Sequence, residues 1–323
     1  MNLFDKSENK PQWIESLQTD TTVTWYYRIQ EVSKRKTYKE KKDYLDLIIM
    51  DKSGRLPAKI WDNVERFYKM IQAGNIYKIS GEVREYKGSK QLTISNLRPL
   101  NERDTDCHPE DFNELPSFDS AALLEETFSL LREHVSDPFL RQLSDRFREA
   151  YGPVLGQAYG AQKIHHAFAG GLLQHTHSLL KLVLAVAPHY GLDKELLLIG
   201  ALFHDIGKTA EFKTQPALET TLAGGLLGHL VISLEIFLEM KNQIPDFPEP
   251  LSIRIQHLIV SHHGEKEFGS PEVPKTPEAY VLHLLDLLDS RLNIFSEQLK
   301  AGETQKLFSD FNQALGTRIL LDK

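Results

Sequence analysis

At 323 residues and 37.0 kDa, with 41% hydrophobic residues, the chain has enough apolar surface for two cores and suits two globular domains better than one. Its one cysteine, Cys107, excludes an intramolecular disulfide framework and any cysteine-based zinc site; with no basic-then-apolar start and no run of roughly 18 apolar residues, the expected compartment is the cytoplasm, with no membrane partner. The net charge of -7 divides unevenly, with 19 Lys and Arg against 13 Asp and Glu (+6) over residues 1–100 and -13 over the rest, so the first part suits phosphates and the second a cation-bearing catalytic domain.

In chain order, residues 1–20 form an N-terminal segment, and 21–100 read as strands and turns. Val23–Ile29 and Tyr44–Met50 are rich in β-branched and aromatic residues, Asp51-Lys52-Ser53-Gly54 supplies a turn before Leu56–Trp61, and Asn75–Val83 and Gln91–Ile94 follow. With a helical stretch near Val64 to Ile71, five short strands predict an OB-like Greek-key barrel. Residues 101–118, polar and interrupted by Pro109 and Pro116, read as a linker.

Beyond residue 118 apolar residues recur at three- and four-residue spacing. Helices are expected over Ser120–Val135, Pro138–Tyr151, Leu172–Ala187, Asp193–Leu202, Gly225–Met240, Pro250–Ser261 and Thr276–Leu299, making 119–323 an all-helical domain. Gly170-Gly171 and Gly224-Gly225 have no preceding strand and mark helix starts rather than a phosphate loop.

Eleven of the 13 histidines lie between His165 and His283, a density that isolated core histidines do not explain. The candidate ligands are His175, the adjacent His204-Asp205, His229, His262-His263 and Asp286, each near a different expected helix. Imidazole and carboxylate together suit Mn, Fe, Co, Ni or Zn, and a histidine-rich site is a poor choice for Mg or Ca alone. A pair of cations about 3.5–4 Å apart activates water and neutralises a phosphoryl oxygen, so no nucleophilic Ser or Cys is required. Lys208, one turn beyond His204, is either a catalytic cation that stabilises the phosphoryl charge or protonates the leaving oxygen, or a solvated lysine at a helix end. His177, His189, His257 and His283 fall off the pattern and are read as structural or surface groups. His165-His166 either bind substrate phosphate or hydrogen-bond the ligands from behind, and Asp289 competes with Asp286 or orients a ligand from the same helix face.

The order of a histidine, a His-Asp pair, further histidines and a late aspartate resembles the HD superfamily of metal-dependent phosphohydrolases. The resemblance implies that His175, His204, Asp205 and Asp286 hold one divalent cation, with Asp205 bridging to a second held by His229 and by His262, His263 or both, and Mn as the expected metal. The segments His165–Thr176, Leu202–Lys208 and Ser261–Gly264, together with a barrel placed before an HD domain, are similar to the YhaM-type 3′-5′ exoribonucleases across roughly residues 20 to 300. This likeness implies hydrolysis of single-stranded RNA, or also DNA, from the 3′ end to nucleoside monophosphates.

The barrel supports that reading from its own residues. Trp25, Tyr26, Tyr27, Tyr38, Tyr44, Trp61, Phe67, Tyr68, Tyr77 and Tyr86 are interleaved with Lys34, Arg35, Lys36, Lys39, Lys41 and Lys42. Aromatic faces stack on unpaired bases and lysines follow a phosphate backbone, while about half of these rings are expected to fill the core. Lys34 to Lys42 reads as a flexible loop between the first two strands, and Lys34, Arg35, Lys36, Tyr38 and Trp61 are the candidate strand-binding residues. Alternatives are an HD phosphohydrolase of free or cyclic nucleotides, with the barrel serving assembly, and a non-catalytic nucleic-acid-binding protein. Assembly into a homo-oligomer stays open.

Overall fold

The computed structural model describes residues 11–37, 41–86, 88–101, 104–112, 118–160, 169–213, 219–301, 307–309 and 311–321. They form two compact units, one drawn from residues 1–115 together with Glu219 and the other from 116–213 and 220–323. Tyr38, His165 and His166 lie outside the described residues.

In the first unit, β1 (Thr21–Lys36), β2 (Asp43–Asp51), β3 (Gly54–Ile60), β4 (Ile76–Tyr86) and β5 (Ser89–Pro99) close into a barrel of order β1-β2-β3-β5-β4. A short helix, α1 (Val64–Met70), lies between β3 and β4. Every neighbouring pair is antiparallel except β3 and β5, where Ala58 sits beside Leu92. Side chains alternate across the pleat, so Leu45, Leu47 and Ile49 point into the core while Tyr44 and Asp46 point out.

The first strand is longer than its composition suggests. It pairs with β4 over Thr21 to Arg28 and with β2 over Arg28 to Lys36, and the register shift between Ile29 and Glu31 is a bulge that bends one strand to serve both neighbours. Lys34, Arg35 and Lys36 are therefore ladder residues opposite Leu45, Tyr44 and Asp43, a correction to the loop expected there. Part of the stretch expected as a linker also lies on the barrel. Tyr26 is fully buried and its hydroxyl donates to Asp104 at 2.9 Å and Asp106 at 2.7 Å; Arg98 pairs with Asp104 at 2.7 Å, and Phe112 joins the core. A buried hydroxyl requires such partners, and the polar residues that look like a tether supply them.

The second unit comprises α2 (Ser120–His134), α3 (Pro138–Leu155), α4 (Gly171–Tyr190), α5 (Lys194–Phe203), α6 (Lys208–Glu211), α7 (Leu222–Asn242), α8 (Glu249–Ser261) and α9 (Pro277–Ala301). Asp119, Asp137, Asp193 and Thr221 cap α2, α3, α5 and α7 by accepting first-turn amide protons, each worth about 1 kcal/mol. Every residue from Leu196 to Phe203 is buried, so α5 is apolar all round and runs through the middle of the bundle against α4, α8 and α9. A helix of that kind delivers whatever follows it into the interior, and His204-Asp205 follow it.

By length and mean hydropathy (1.6) α7 would suffice for a membrane span, which was not expected from the sequence. Gly228 interrupts it with φ 73° and ψ 162°, and beyond that break Ile232, Ile236, Phe237 and Met240 are buried in the helical core, so the apolar face of this second part serves packing.

Candidate metal centre

Five helix ends and faces converge. His175 projects from the second turn of α4, His204-Asp205 from the end of α5, His229 from α7 just past the break at Gly228, His262-His263 from the end of α8, and Asp286 from α9. The break turns the start of α7 away from the helix that carries His229. Gly207 sets how close α7 comes to the loop after Asp205. A Cβ there would lie 2.1 Å from the His229 carbonyl oxygen, and the Gly207 amide donates to Ser233 Oγ at 2.8 Å.

The ligand atoms form two clusters, His175 with His204 and Asp286, and Asp205 with His229, His262 and His263, each within 4.8 Å. Asp205 touches both. Its Oδ2 lies 3.3 Å from His204 Nε2, and its Oδ1 lies 3.4 Å from His229 Nε2 and 3.6 Å from His262 Nε2. Both histidines of the 262–263 pair belong to the second cluster, since His263 Nε2 lies 3.2 Å from His229 Nε2.

The hydrogen bonds behind the ligands fix where their lone pairs point. His204 Nδ1 donates to the Ala201 carbonyl and His262 Nδ1 to the Ile259 carbonyl, both at 2.8 Å; a carbonyl only accepts, so each Nε2 presents a lone pair to the centre. His204 Nε2 faces His175 Nε2 at 3.2 Å. Asp205 Oδ1 and His262 Nε2 are buried and have no hydrogen-bond partner. An unsatisfied buried polar atom costs about 1–3 kcal/mol, and more when charged. Converging unprotonated nitrogens and an orphaned carboxylate oxygen fit a divalent transition-metal cation, which satisfies all of them at once.

The ionisation of the two carboxylates and of His262 agrees, whereas His175 has to lose a proton before it can bind a cation. Burial opposes charge on Asp205, but Lys208, with Nζ 2.5 Å from Oδ2, and His204 hold its carboxyl well below the usual range. Burial likewise opposes charge on Asp286, and His175 holds it low. Burial also works against a charged His175, yet hydrogen bonds to Asp286 and Asp289 raise its pKa to about 9, marking a position that favours positive charge. His262 is pushed down by burial and stays neutral, as a ligand must.

Two acids stand behind the histidines. Asp289 Oδ2 accepts from His175 Nδ1 at 2.7 Å, in keeping with its place one turn beyond Asp286, and Glu211 Oε2 lies 3.1 Å from His229 Nδ1. Glu211 escaped the sequence reading because α6 is only four residues long and carries no apolar period. The histidines off the pattern make local contacts. His283 Nδ1 donates to the His262 carbonyl at 2.8 Å, His177 pairs with Thr127, and His257 accepts the Lys275 amide proton.

On the barrel, Lys34 pairs with Glu65 and, at 3.1 Å, with Asp43; Arg35 pairs with Asp46 at 3.2 Å. Lys36 lies 4.0 Å from Asp43. The basic run is thus largely matched by carboxylates. Trp61 instead stacks on Tyr44, with ring centroids 4.8 Å apart at 25°. The Lys59 ammonium lies 5.0, 5.6 and 5.8 Å from the rings of Tyr44, Trp61 and Tyr86, on the outward side of β2 and β3. Trp25, Tyr26, Tyr27, Phe67 and Tyr77 are buried in the core.

The HD domain family matches residues 172–291, which contain the whole ligand set, and the OB-fold nucleic acid binding domain family matches residues 28–100. The chain is 31% identical over 278 residues to the 3′-5′ exoribonuclease YhaM of Bacillus pumilus, and 32% identical over 278 residues to those of Bacillus licheniformis and Bacillus subtilis. Each alignment covers 84% of this chain and 88% of the relative. The expected pairing of a barrel with a helical HD domain is borne out.

Proposed function

This chain belongs to the family of YhaM 3′-5′ exoribonucleases, and from that premise we propose that it is a metal-dependent hydrolase that shortens single-stranded RNA from the 3′ end and releases nucleoside monophosphates. The observation that carries the reading is the buried, unpartnered Asp205 Oδ1 among imidazole nitrogens. We assign His175, His204, Asp205 and Asp286 to one divalent cation and Asp205, His229, His262 and His263 to a second, with Mn the expected metal. Bound there, the cations supply an activated water and neutralise charge on the phosphoryl oxygens.

The chain's own residues do the rest. Asp205 presents one oxygen to each cluster, so a single carboxylate sets their spacing. Lys208, only 15% exposed, keeps Asp205 ionised and adds positive charge beside the centre; its ion pair at 2.5 Å favours that electrostatic role over donation of a proton. The Tyr44, Trp61 and Tyr86 rings offer stacking faces for unpaired bases and Lys59 a charge for phosphate, which favours a strand over a free nucleotide. The protein would then work in the cytoplasm on RNA, with single-stranded DNA as a second substrate and self-assembly open to measurement.

The test is digestion of matched 5′-labelled RNA and DNA strands under a panel of divalent metals, with product length and released nucleotides read together. Progressive 3′ shortening of RNA with Mn is expected. Hydrolysis of cyclic or free nucleotides with intact strands would place the chain's substrate elsewhere.

A further inference from the structure

Four of the five imidazoles of the centre fall into two kinds. His204 and His262 rest on backbone carbonyls, whereas His175 and His229 rest on carboxylates, Asp289 at 2.7 Å and Glu211 at 3.1 Å. Each cluster contains one of each kind. That distribution has an electrostatic meaning. Two divalent cations bring four positive charges, and the direct ligands bring two negative ones, on Asp205 and Asp286. Glu211 and Asp289 double the negative charge around the centre. Both are only 14% exposed, so water screens them little.

The two acids are not equivalent. The cluster of His175 and His204 has a carboxylate of its own, Asp286, hydrogen-bonded by Ser290. The cluster of His229, His262 and His263 has only Asp205, which it shares with the other cluster and with Lys208. Glu211 contacts this second cluster through His229 Nδ1. Its position is built in. Its carbonyl accepts the Thr221 amide proton at 2.9 Å, and a Cβ at Gly224 would lie 2.4 Å from that carbonyl and 2.9 Å from Glu211 Cγ, so the side chain is confined between α6 and the first turn of α7.

We propose that Glu211 is a positioning residue that selectively sets cation affinity at the His229–His262–His263 cluster by holding His229 in the orientation a ligand needs, with Asp289 doing the same for His175 at the other cluster. The proposal rests on the two-cation reading above. A carboxylate behind an imidazole fixes its tautomer and strengthens it as a ligand, an effect of about 10- to 100-fold in affinity.

The test is calorimetric titration of chelator-treated full-length protein with Mn, combined with metal counting after dialysis. Wild type should titrate two sites. E211Q, which keeps the shape and loses the charge, should leave one site unchanged and weaken the other about 10- to 100-fold, while D289N should weaken the opposite site. In the H229A background, E211Q should add nothing, because Glu211 acts through that imidazole. The melting temperature of metal-free E211Q should match wild type. The proposal is overturned if E211Q titrates like wild type, weakens both sites equally, adds to H229A, or destabilises the metal-free fold. A single site in wild type would overturn the two-cation reading itself, an outcome separate from the others.

Discussion

Replacing Gly207 by Ala probes the contact that holds α7 against the Asp205 loop. The added Cβ would lie 2.1 Å from the His229 carbonyl oxygen and 2.7 Å from the Ser233 amide nitrogen. Ordinary contact begins near 3.4 Å, so the backbone must separate by about 1.3 Å, and no flexible side chain is available to yield. Overpacking of this kind costs about 1–3 kcal/mol. For a unit of this size that corresponds to a fall of about 2–12 °C in melting temperature. The displaced segment carries His229, which sits 3.4 Å from Asp205, and a shift of about 1 Å in a catalytic group costs on the order of 100-fold in rate. The assay is thermal denaturation alongside turnover of single-stranded RNA. Gly225→Ala is the control, because its Cβ would meet only Thr220 Cγ2 at 3.8 Å and should be neutral or stabilising. If Gly207→Ala melts and turns over like the control, the close approach of α7 does not set the geometry of the centre.

The metal-free protein should show a pH dependence set by His175. Its pKa is raised from 6.5 to about 9, so the stabilisation it contributes is complete below pH 6.5 and is lost as pH rises through about 9; melting temperature should decline across that window and Mn affinity should rise across it, whereas flat profiles would contradict the assignment. Trp61→Ala should weaken binding of short single strands, measured by fluorescence anisotropy, by roughly 5- to 150-fold with no change in the melt of the helical unit, since one stacked base is worth about 1–3 kcal/mol. Equal affinity would remove the Tyr44–Trp61 platform from the account. Tyr26→Phe strips Asp104 and Asp106 of their shared donor and should destabilise the barrel by about 1–3 kcal/mol in urea titration; an unchanged midpoint would mean that residues 104–112 do not support it.

That the candidate ligands would come together was legible because each lies at a helix end or on a helix face announced by an apolar period, and because the chemistry of a His-Asp pair does not depend on which helices meet. Asp289 was legible for the same reason, three residues beyond Asp286 on one helix. Glu211 was not, since an isolated acid in a four-residue helix acquires meaning only when His229 is brought to it across the fold. In the barrel, alternation exposed the strands but not their ends. Lys34-Arg35-Lys36 resemble a loop by charge, and only the partners Asp43, Asp46 and Glu65 show why they remain in a ladder. Trp61, Tyr44 and Tyr86 were legible as aromatic candidates but Lys59 and their grouping around it were not, because the rings come from β2, the residue after β3, and β4, and cross-strand neighbours are not neighbours in sequence. Asp104 to Phe112 read as a tether because one aromatic residue among polar ones carries no period, although it reaches the core.

The most direct test of the central claim is the rate at which Asp205→Asn shortens a 5′-labelled single-stranded RNA in Mn, compared with wild type at equal melting temperature. Among the described residues Asp205 alone presents oxygen to both clusters, so the amide, which keeps its shape and loses its charge, should abolish progressive 3′ shortening and the release of nucleoside monophosphates. Wild-type shortening by Asp205→Asn would contradict the account.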